Sequence, residues 1–168
     1  TDLQALADTP MIVVCAGAKS ILDLPATLEY LETMAVPVVG YGTDEFPAFF
    51  SRRSGLNVSV RLDSPEEIVA FAKAHWDLGL RSAILVTNPI PEEYSLEDDF
   101  INPIIAQASQ DAQDRGISGQ ALTPFLLARI NKLSGGRSLE ANLVLLHNNA
   151  TLAAKIAKVI SKGKAKKF

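Results

Sequence analysis

Apolar residues follow two rhythms along this chain. Between residues 11 and 87, short continuous runs alternate with amphipathic stretches. "MIVVC" at 11–15, "VPVVGYG" at 36–42 and "AILVT" at 83–87 are apolar and rich in β-branched residues, the pattern of strands covered on both faces in a parallel sheet. "NVSVRL" at 57–62 alternates polar and apolar and predicts a less buried strand. A helix is expected from Pro25, with Leu28 and Leu31 on one face. The next helix is the best punctuated: Ser64 as N-cap, Pro65 in the first turn, Glu67 closing a capping box, an apolar face of Ile68, Phe71, Ala72 and Trp76, and Gly79 past its end.

After Ser95 the rhythm is helical. Ser95 with Asp98 predicts a cap for a helix ending at Gly116, which Pro103 should kink or split. Thr123 and Pro124 predict the start of another ending at Gly135, and Ser138 opens a long helical segment. Alternating strands and helices followed by helices predict an α/β layer architecture with mostly parallel strands. No internal repeat or low-complexity linker divides the chain.

Composition narrows the classes. At 168 residues one domain is expected. With 48% hydrophobic and 21% charged residues, neither disorder nor a fibrous repeat fits. A net charge of -3 gives no global basic field to gather nucleic acid, and the one basic cluster, "KGKAKKF" at 162–168, reads as a solvated end. Cys15 is the only cysteine, so no intramolecular disulfide forms and a reducing, cytoplasmic setting is the expectation. No apolar run reaches the roughly 20 residues that span a bilayer. The chain opens on Thr1, and "TDLQALADTP" reads as the inside of a folded segment, so residues upstream are expected.

Candidate chemistry begins at Lys19. In parallel α/β sheets the carboxyl ends of the strands open toward the ligand crevice, and Lys19 lies four residues past Cys15. A neutral lysine amine forms an imine with a carbonyl carbon, and a partly buried pocket favours the neutral form. Ala16, Gly17 and Ala18 leave room for a ligand against the backbone; the competing reading is a surface lysine at a helix start. "AGAKS" lacks the frame of a phosphate-binding P-loop, and there is no G-x-G-x-x-G, C-x-x-C or H-E-x-x-H. His75 reads as a helix-surface residue and His147 as isolated. Arg52 and Arg53 could fork a phosphate, but read first as a solvated pair. Asn142, Asn148 and Asn149 fall on a helical segment where asparagine has no propensity advantage, so at least one is a candidate to face a pocket.

The ordered segments "VVCAGAKSILDLPATLEYLET", "VPVVGYGTDEFPAFFSRRS", "VSVRLDS", "NPIPEEY", "TPFLLARI" and "GGRSLEANLVLLHNNATLAAKIA" resemble the pseudouridine-5'-phosphate glycosidase family, which also takes in indigoidine synthase A-like proteins. The resemblance covers almost the whole chain. It implies an α/β/α sandwich with a mostly parallel central sheet, similar to nucleoside hydrolases, of which residues 1–168 would be the C-terminal portion of a single domain. It implies reversible cleavage of the C–C bond of pseudouridine 5'-phosphate to uracil and ribose 5-phosphate, through a lysine imine with the ring-opened sugar. Lys19 matches the family's lysine. Asp2, in "TDLQ", matches a carboxylate that binds the ribose and assists proton transfer, although Thr1 stands where the family has alanine. Asn142, in "EANL", matches an asparagine that hydrogen-bonds the uracil edge.

Family members are nearly twice this length. The resemblance therefore implies that the glutamate proton donor, the phosphate-holding lysine and hydroxyls, and the aspartate that binds manganese belong to an N-terminal half outside this sequence. It also implies a homotrimer. From this follow the expectations that the chain alone is inactive and that the missing half is a possible partner. The alternative is a non-catalytic phosphosugar- or nucleotide-binding module; a structural or interaction domain is a third reading.

Overall fold

In the computed structural model, which describes residues 2–19 and 23–165, each apolar run between 11 and 87 becomes a strand. Thr1 and the last part of the basic end lie outside the described residues. The elements run α1 (Asp2–Asp8), β1 (Ile12–Cys15), α2 (Leu24–Thr33), β2 (Val38–Tyr41), β3 (Val60–Leu62), α3 (Pro65–Asp77), β4 (Ile84–Thr87), α4 (Asp98–Asp114), α5 (Leu122–Leu133) and α6 (Arg137–Ala165). Single 3₁₀ turns at Glu92–Tyr94 and Gly119–Ala121 precede α4 and α5.

The strands form one sheet in the order β1-β4-β2-β3, parallel at every pairing. Successive strand residues point to opposite faces, and the core divides accordingly. Val39, Ile84 and Val86 meet Ile68 and Ala72 of α3 and Leu152 and Ile156 of α6 on one face. Val38 and Leu85 meet Leu31, Val36 and Phe46 on the other, with Leu3 and Leu6 of α1 packed against them. This is the expected α/β/α sandwich. A third cluster gathers α4, α5 and the start of α6 around Ala16, Phe50 and Ile90, at the carboxyl ends of the strands. Arg129 and Asp111 pair between α5 and α4; hydrogen bonds from Arg129 and Gln107 hold the Asp111 carboxyl below its usual range.

The capping box on α3 forms as read: the Ser64 hydroxyl accepts from the Glu67 N–H at 3.2 Å while Glu67 accepts from the Ser64 N–H at 3.0 Å. Other expectations are corrected. Ser95 closes the 3₁₀ turn and does not cap α4, whose N-cap is Glu97 without a side-chain bond. Pro103 does not split α4. It falls in the second turn on the exposed face, where the orphaned Asp99 carbonyl reaches water. Helix α5 begins at Leu122, so Thr123 and Pro124 lie inside its first turn. The 57–62 strand contracts to Val60–Leu62, with Asn57 reduced to a single bridge to Glu45.

His75 is not a surface residue. Only 8% exposed, it lies 2.9 Å from the Ser82 hydroxyl, which itself donates to the Ala35 carbonyl. Since that hydroxyl has one proton to give, His75 Nε2 must donate, which fixes its tautomer. Trp76 Nε1 donates to the Ser82 carbonyl at 3.0 Å, so consecutive residues clamp the turn that enters β4.

Two stability predictions follow from these contacts. Ser64→Ala should lower unfolding free energy by about 1 kcal/mol in a urea titration, because the Glu67 N–H loses its acceptor. Burial pushes the His75 pKa down, so the folded state disfavours its protonation. The stability tied to neutral His75 is then complete above its ordinary value of about 6.5 and declines as pH falls through that value. Melting temperature should drop between pH 7.5 and 5.5, and a His75→Gln variant should show a smaller drop.

Candidate functional site

The carboxyl end of β1 is built around one close approach. Past Cys15 the chain turns through Ala16 and Gly17, and Gly17 adopts φ +83°, the left-handed region open to glycine. It forms an antiparallel bridge with Ala48, and the Phe49 N–H donates to the Ala16 carbonyl at 3.2 Å. A Cβ on Gly17 would lie 1.8 Å from the Pro47 carbonyl oxygen, so the two segments cross with no space for a side chain. Phe49 opposite carries φ +69°, an uncommon conformation for a bulky residue and one concentrated near functional sites.

This crossing leads to all three predicted site residues. Lys19 is half-buried two residues past Gly17. Its neighbour Ala18 packs on the same cluster as Leu3, which follows Asp2; Asp2 itself is exposed in the first turn of α1. Helix α1 is held by the Ala83 N–H donating to the Leu6 carbonyl at 2.7 Å and by Tyr30 donating to Gln4 at 3.0 Å. On the other side, Phe50 packs with Ala16 and Ala141, and Asn142 is the next residue of α6. Asn142 lines a mainly apolar cleft of about 220 Å³ with Phe50, Leu127, Asn131, Ser138 and Leu139. Neither Lys19 nor Asp2 lines it. The structure thus ties Asn142 to the Lys19 loop through Ala16 and Phe50 without joining the three polar heads in one cleft.

The other candidates sort by what they touch. Asn149 accepts at 3.2 Å from Asn88, which is buried just past β4 and whose N–H donates to the Cys15 carbonyl at 2.7 Å. Asn148 donates to the Pro89 carbonyl at 3.1 Å. These asparagines fasten α6 to the strand ends. Arg52 is half-buried and donates to the Ile90 carbonyl, so it is not merely solvated; Arg53 is exposed. Both line a polar cleft of about 260 Å³ with Asp44, Glu45 and Arg61, where Arg61 pairs with Asp44 and Asp63 at 2.9 Å each. His147 is exposed.

Desolvation pushes the Cys15 thiol up to about 11, partly offset by a hydrogen bond from the Gly17 backbone. The residue keeps some exposure, yet its sulfur stays protonated at neutral pH and is a poor nucleophile. That leaves Lys19 as the nucleophile candidate of this loop. Among the described residues no group of three or more His, Cys, Asp or Glu side chains could hold a metal ion. The described residues thus offer no donor set of their own for manganese, whose ligand the family resemblance places in the half outside this sequence. No helix among the described residues is long and apolar enough to cross a membrane.

Phe50, Asn88 and Asn131 were not singled out from the sequence. Asn88 follows a buried strand directly, a readable signal; Asn131, whose Oδ1 is buried without a partner among the described residues, has no sequence signature.

The family model described as "Indigoidine synthase A like protein" matches residues 1–159. The chain belongs to this family. It is 55% identical over 161 residues to a pseudouridine-5'-phosphate glycosidase of Caldanaerobacter subterraneus subsp. tengcongensis, covering 96% of this chain and 52% of that protein. It is 57% identical over 156 residues to pseudouridine-5'-phosphate glycosidase 2 of Rhizobium johnstonii, covering 93% and 50%. Among solved structures, the prealnumycin C-glycosynthase AlnA in complex with ribulose 5-phosphate superposes with TM-score 0.88 at 36% identity, over 99% of this chain and 55% of that one. An indigoidine synthase A-like protein from Thermotoga maritima gives 0.84 at 39%, over 93% and 51%. The chain spans about half the length of these family members.

Gly17→Ala should destabilise this family member by at least about 2 kcal/mol, since left-handed backbone strain adds to the Pro47 clash. Gly79→Ala, with a similar φ of +86° but open space around it, should cost less. Equal losses in paired urea titrations would mean that the crossing at Pro47 adds no constraint.

Proposed function

We propose that this chain carries the covalent part of the active site of an enzyme that reversibly cleaves pseudouridine 5'-phosphate to uracil and ribose 5-phosphate. One observation supports this reading above the rest. Two relatives at 55% and 57% identity are pseudouridine-5'-phosphate glycosidases, and a structural neighbour is a C-glycosynthase in complex with ribulose 5-phosphate. Their common chemistry is a carbon–carbon bond to a five-carbon sugar phosphate.

That bond explains why an amine is needed. Uracil C5 is a poor leaving group, and departure with the bonding pair requires an electron source at C1'. In the proposed sequence the neutral Lys19 amine attacks C1', the C1'–O4' bond breaks and O4' takes a proton. The nitrogen lone pair then forms a C=N bond as the C1'–C5 pair passes to uracil C5, which takes a proton. Water hydrolyses the imine, releasing ribose 5-phosphate and restoring the amine. Asp2 binds the ribose and assists proton transfer, while Asn142 reads the uracil edge by hydrogen bonding, a readout that rejects bases lacking the matching groups. The general acid and the phosphate-holding groups belong to the rest of the family's length, and the chain alone is inactive. A homotrimer belongs to the same proposal, and the native mass of the assembly tests it.

A second reading, a phosphosugar-binding module without turnover, draws on the placement of Asn142 in a cleft that neither Lys19 nor Asp2 lines. One experiment separates the two. The chain is co-expressed with the unmatched half of the Caldanaerobacter relative, incubated with ribose 5-phosphate and borohydride, and its intact mass recorded. The expected adduct adds the mass of the sugar phosphate less one oxygen atom, maps to the Lys19 peptide and is absent from Lys19→Ala. Ribose 5-phosphate bound without an adduct would favour the binding module; an adduct surviving in Lys19→Ala would move the nucleophile elsewhere.

A further inference from the structure

Strand β1 is covered less than its composition demands. Its neighbour β4 is buried at all four positions, whereas each residue of Ile12–Cys15, equally apolar, is only partly buried. Among the described residues β1 ends the sheet, pairing with β4 on one side alone. The Ile84 N–H donates to the Met11 carbonyl at 2.9 Å and the Asn88 N–H to the Cys15 carbonyl at 2.7 Å. Ladder alternation thus commits the backbone groups of residues 11, 13 and 15 to β4 and turns those of Ile12 and Val14 toward the open edge.

Beside that edge runs an apolar cleft of about 280 Å³, whose lining includes Ile12, Val14, Trp76, Ala153, Ile156 and Ile160. Met11, at its mouth, is 44% exposed. Ala153 and Ala157 present small exposed side chains from α6, which lets another backbone come close. The opposite edge is guarded: β3 has three residues, and its exposed Arg61 is held by Asp44 and Asp63. Natural sheets blunt a free edge with charge, as β3 does; the four apolar residues of β1 carry no charge and leave their edge open to pairing.

The occupant follows from length. Two solved structures that share this fold contain nearly as much chain again, since this chain covers 55% and 51% of them. We propose that β1 is an interior strand of the complete family sheet. Its edge is taken by an apolar strand from the part of the family's chain that lies outside the matched residues, in the same polypeptide or a separate one. That strand hydrogen-bonds to Ile12 and Val14 and lays alternate side chains into the Trp76 cleft. The pairing joins the two halves of the family's length whatever reaction they catalyse, so its test reads binding rather than turnover.

The test co-expresses the 168-residue chain, tagged, with the unmatched half of the Caldanaerobacter relative, and follows amide exchange. The half should co-purify, and exchange at Ile12 and Val14 should slow by at least about 100-fold relative to the chain alone. Val14→Pro, which removes an edge donor while sparing the β4 ladder, should abolish co-purification. Ala157→Glu, on an exposed helix position that leaves the core intact, should do the same while keeping the parent melting temperature. The full-length relative supplies the check within one polypeptide: its amides matched to Ile12 and Val14 should be protected. Fast exchange there, binding of the half with no change at Ile12 and Val14, or protection of both amides in the chain alone through a second copy would each overturn the proposal.

Discussion

The contact on which the carboxyl end of this molecule depends is the approach of Gly17 to the Pro47 carbonyl. Any side chain at position 17 would occupy the space of that oxygen, so β1 and the segment after β2 can cross only through a glycine. The crossing carries two hydrogen-bonded consequences. Phe49 donates to the Ala16 carbonyl, and the Phe50 carbonyl then accepts from Leu96 at 2.9 Å, which draws the loop after β4 onto the same point. Phe50, held from both sides, becomes the member of the third cluster that also lines the Asn142 cleft. The Lys19 loop and the cleft are thereby parts of one rigid support, which is what positioning chemistry requires of a scaffold.

Helix α6 extends that support across the molecule. Its 29 residues, about 44 Å of helix, bury Ala141 and Leu145 in the cluster at the strand ends and Leu152 and Ile156 against the sheet face. Between the two stretches, Asn148 and Asn149 bond to Pro89 and Asn88, so the helix is fixed to the loop after β4 at its midpoint. Part-buried amides that find partners of this kind offset their desolvation and set register, a role apolar contacts alone do not provide. Two of the three asparagines on this segment are therefore structural, and Asn142 is the one left facing a cleft.

Local signals were legible where the chain meets itself within a few residues. The Ser64 box, the three apolar strand runs and the glycines after α3, α4 and α5 depend on short-range geometry and came out as read. Ser95 misled because the 3₁₀ turn at Glu92–Tyr94 competed for the same residues, a choice settled by the packing of Leu96 under Phe50. His75 misled because position beside Trp76 says nothing of the Ser82 hydroxyl arriving from the far end of the turn. Strand order was not legible at all: β1 and β4 pair across more than seventy residues, and parallel pairing leaves no turn to read. The placement of Lys19 past an apolar strand was legible. The cleft was not, because Phe50, Asn131 and Asn142 come from three elements that converge only in the fold.

The division of groups within the proposed site has a physical logic. Imine chemistry tolerates little play in the nucleophile, because the amine must meet one carbon along one direction, and a lysine two residues past a side-chain-free crossing has a fixed base. Cys15 ends the strand itself, but a thiol pushed up to about 11 by its surroundings holds its proton at neutral pH. That retained proton, more than proximity, is why the proposed reaction is given to the amine and not to the sulfur.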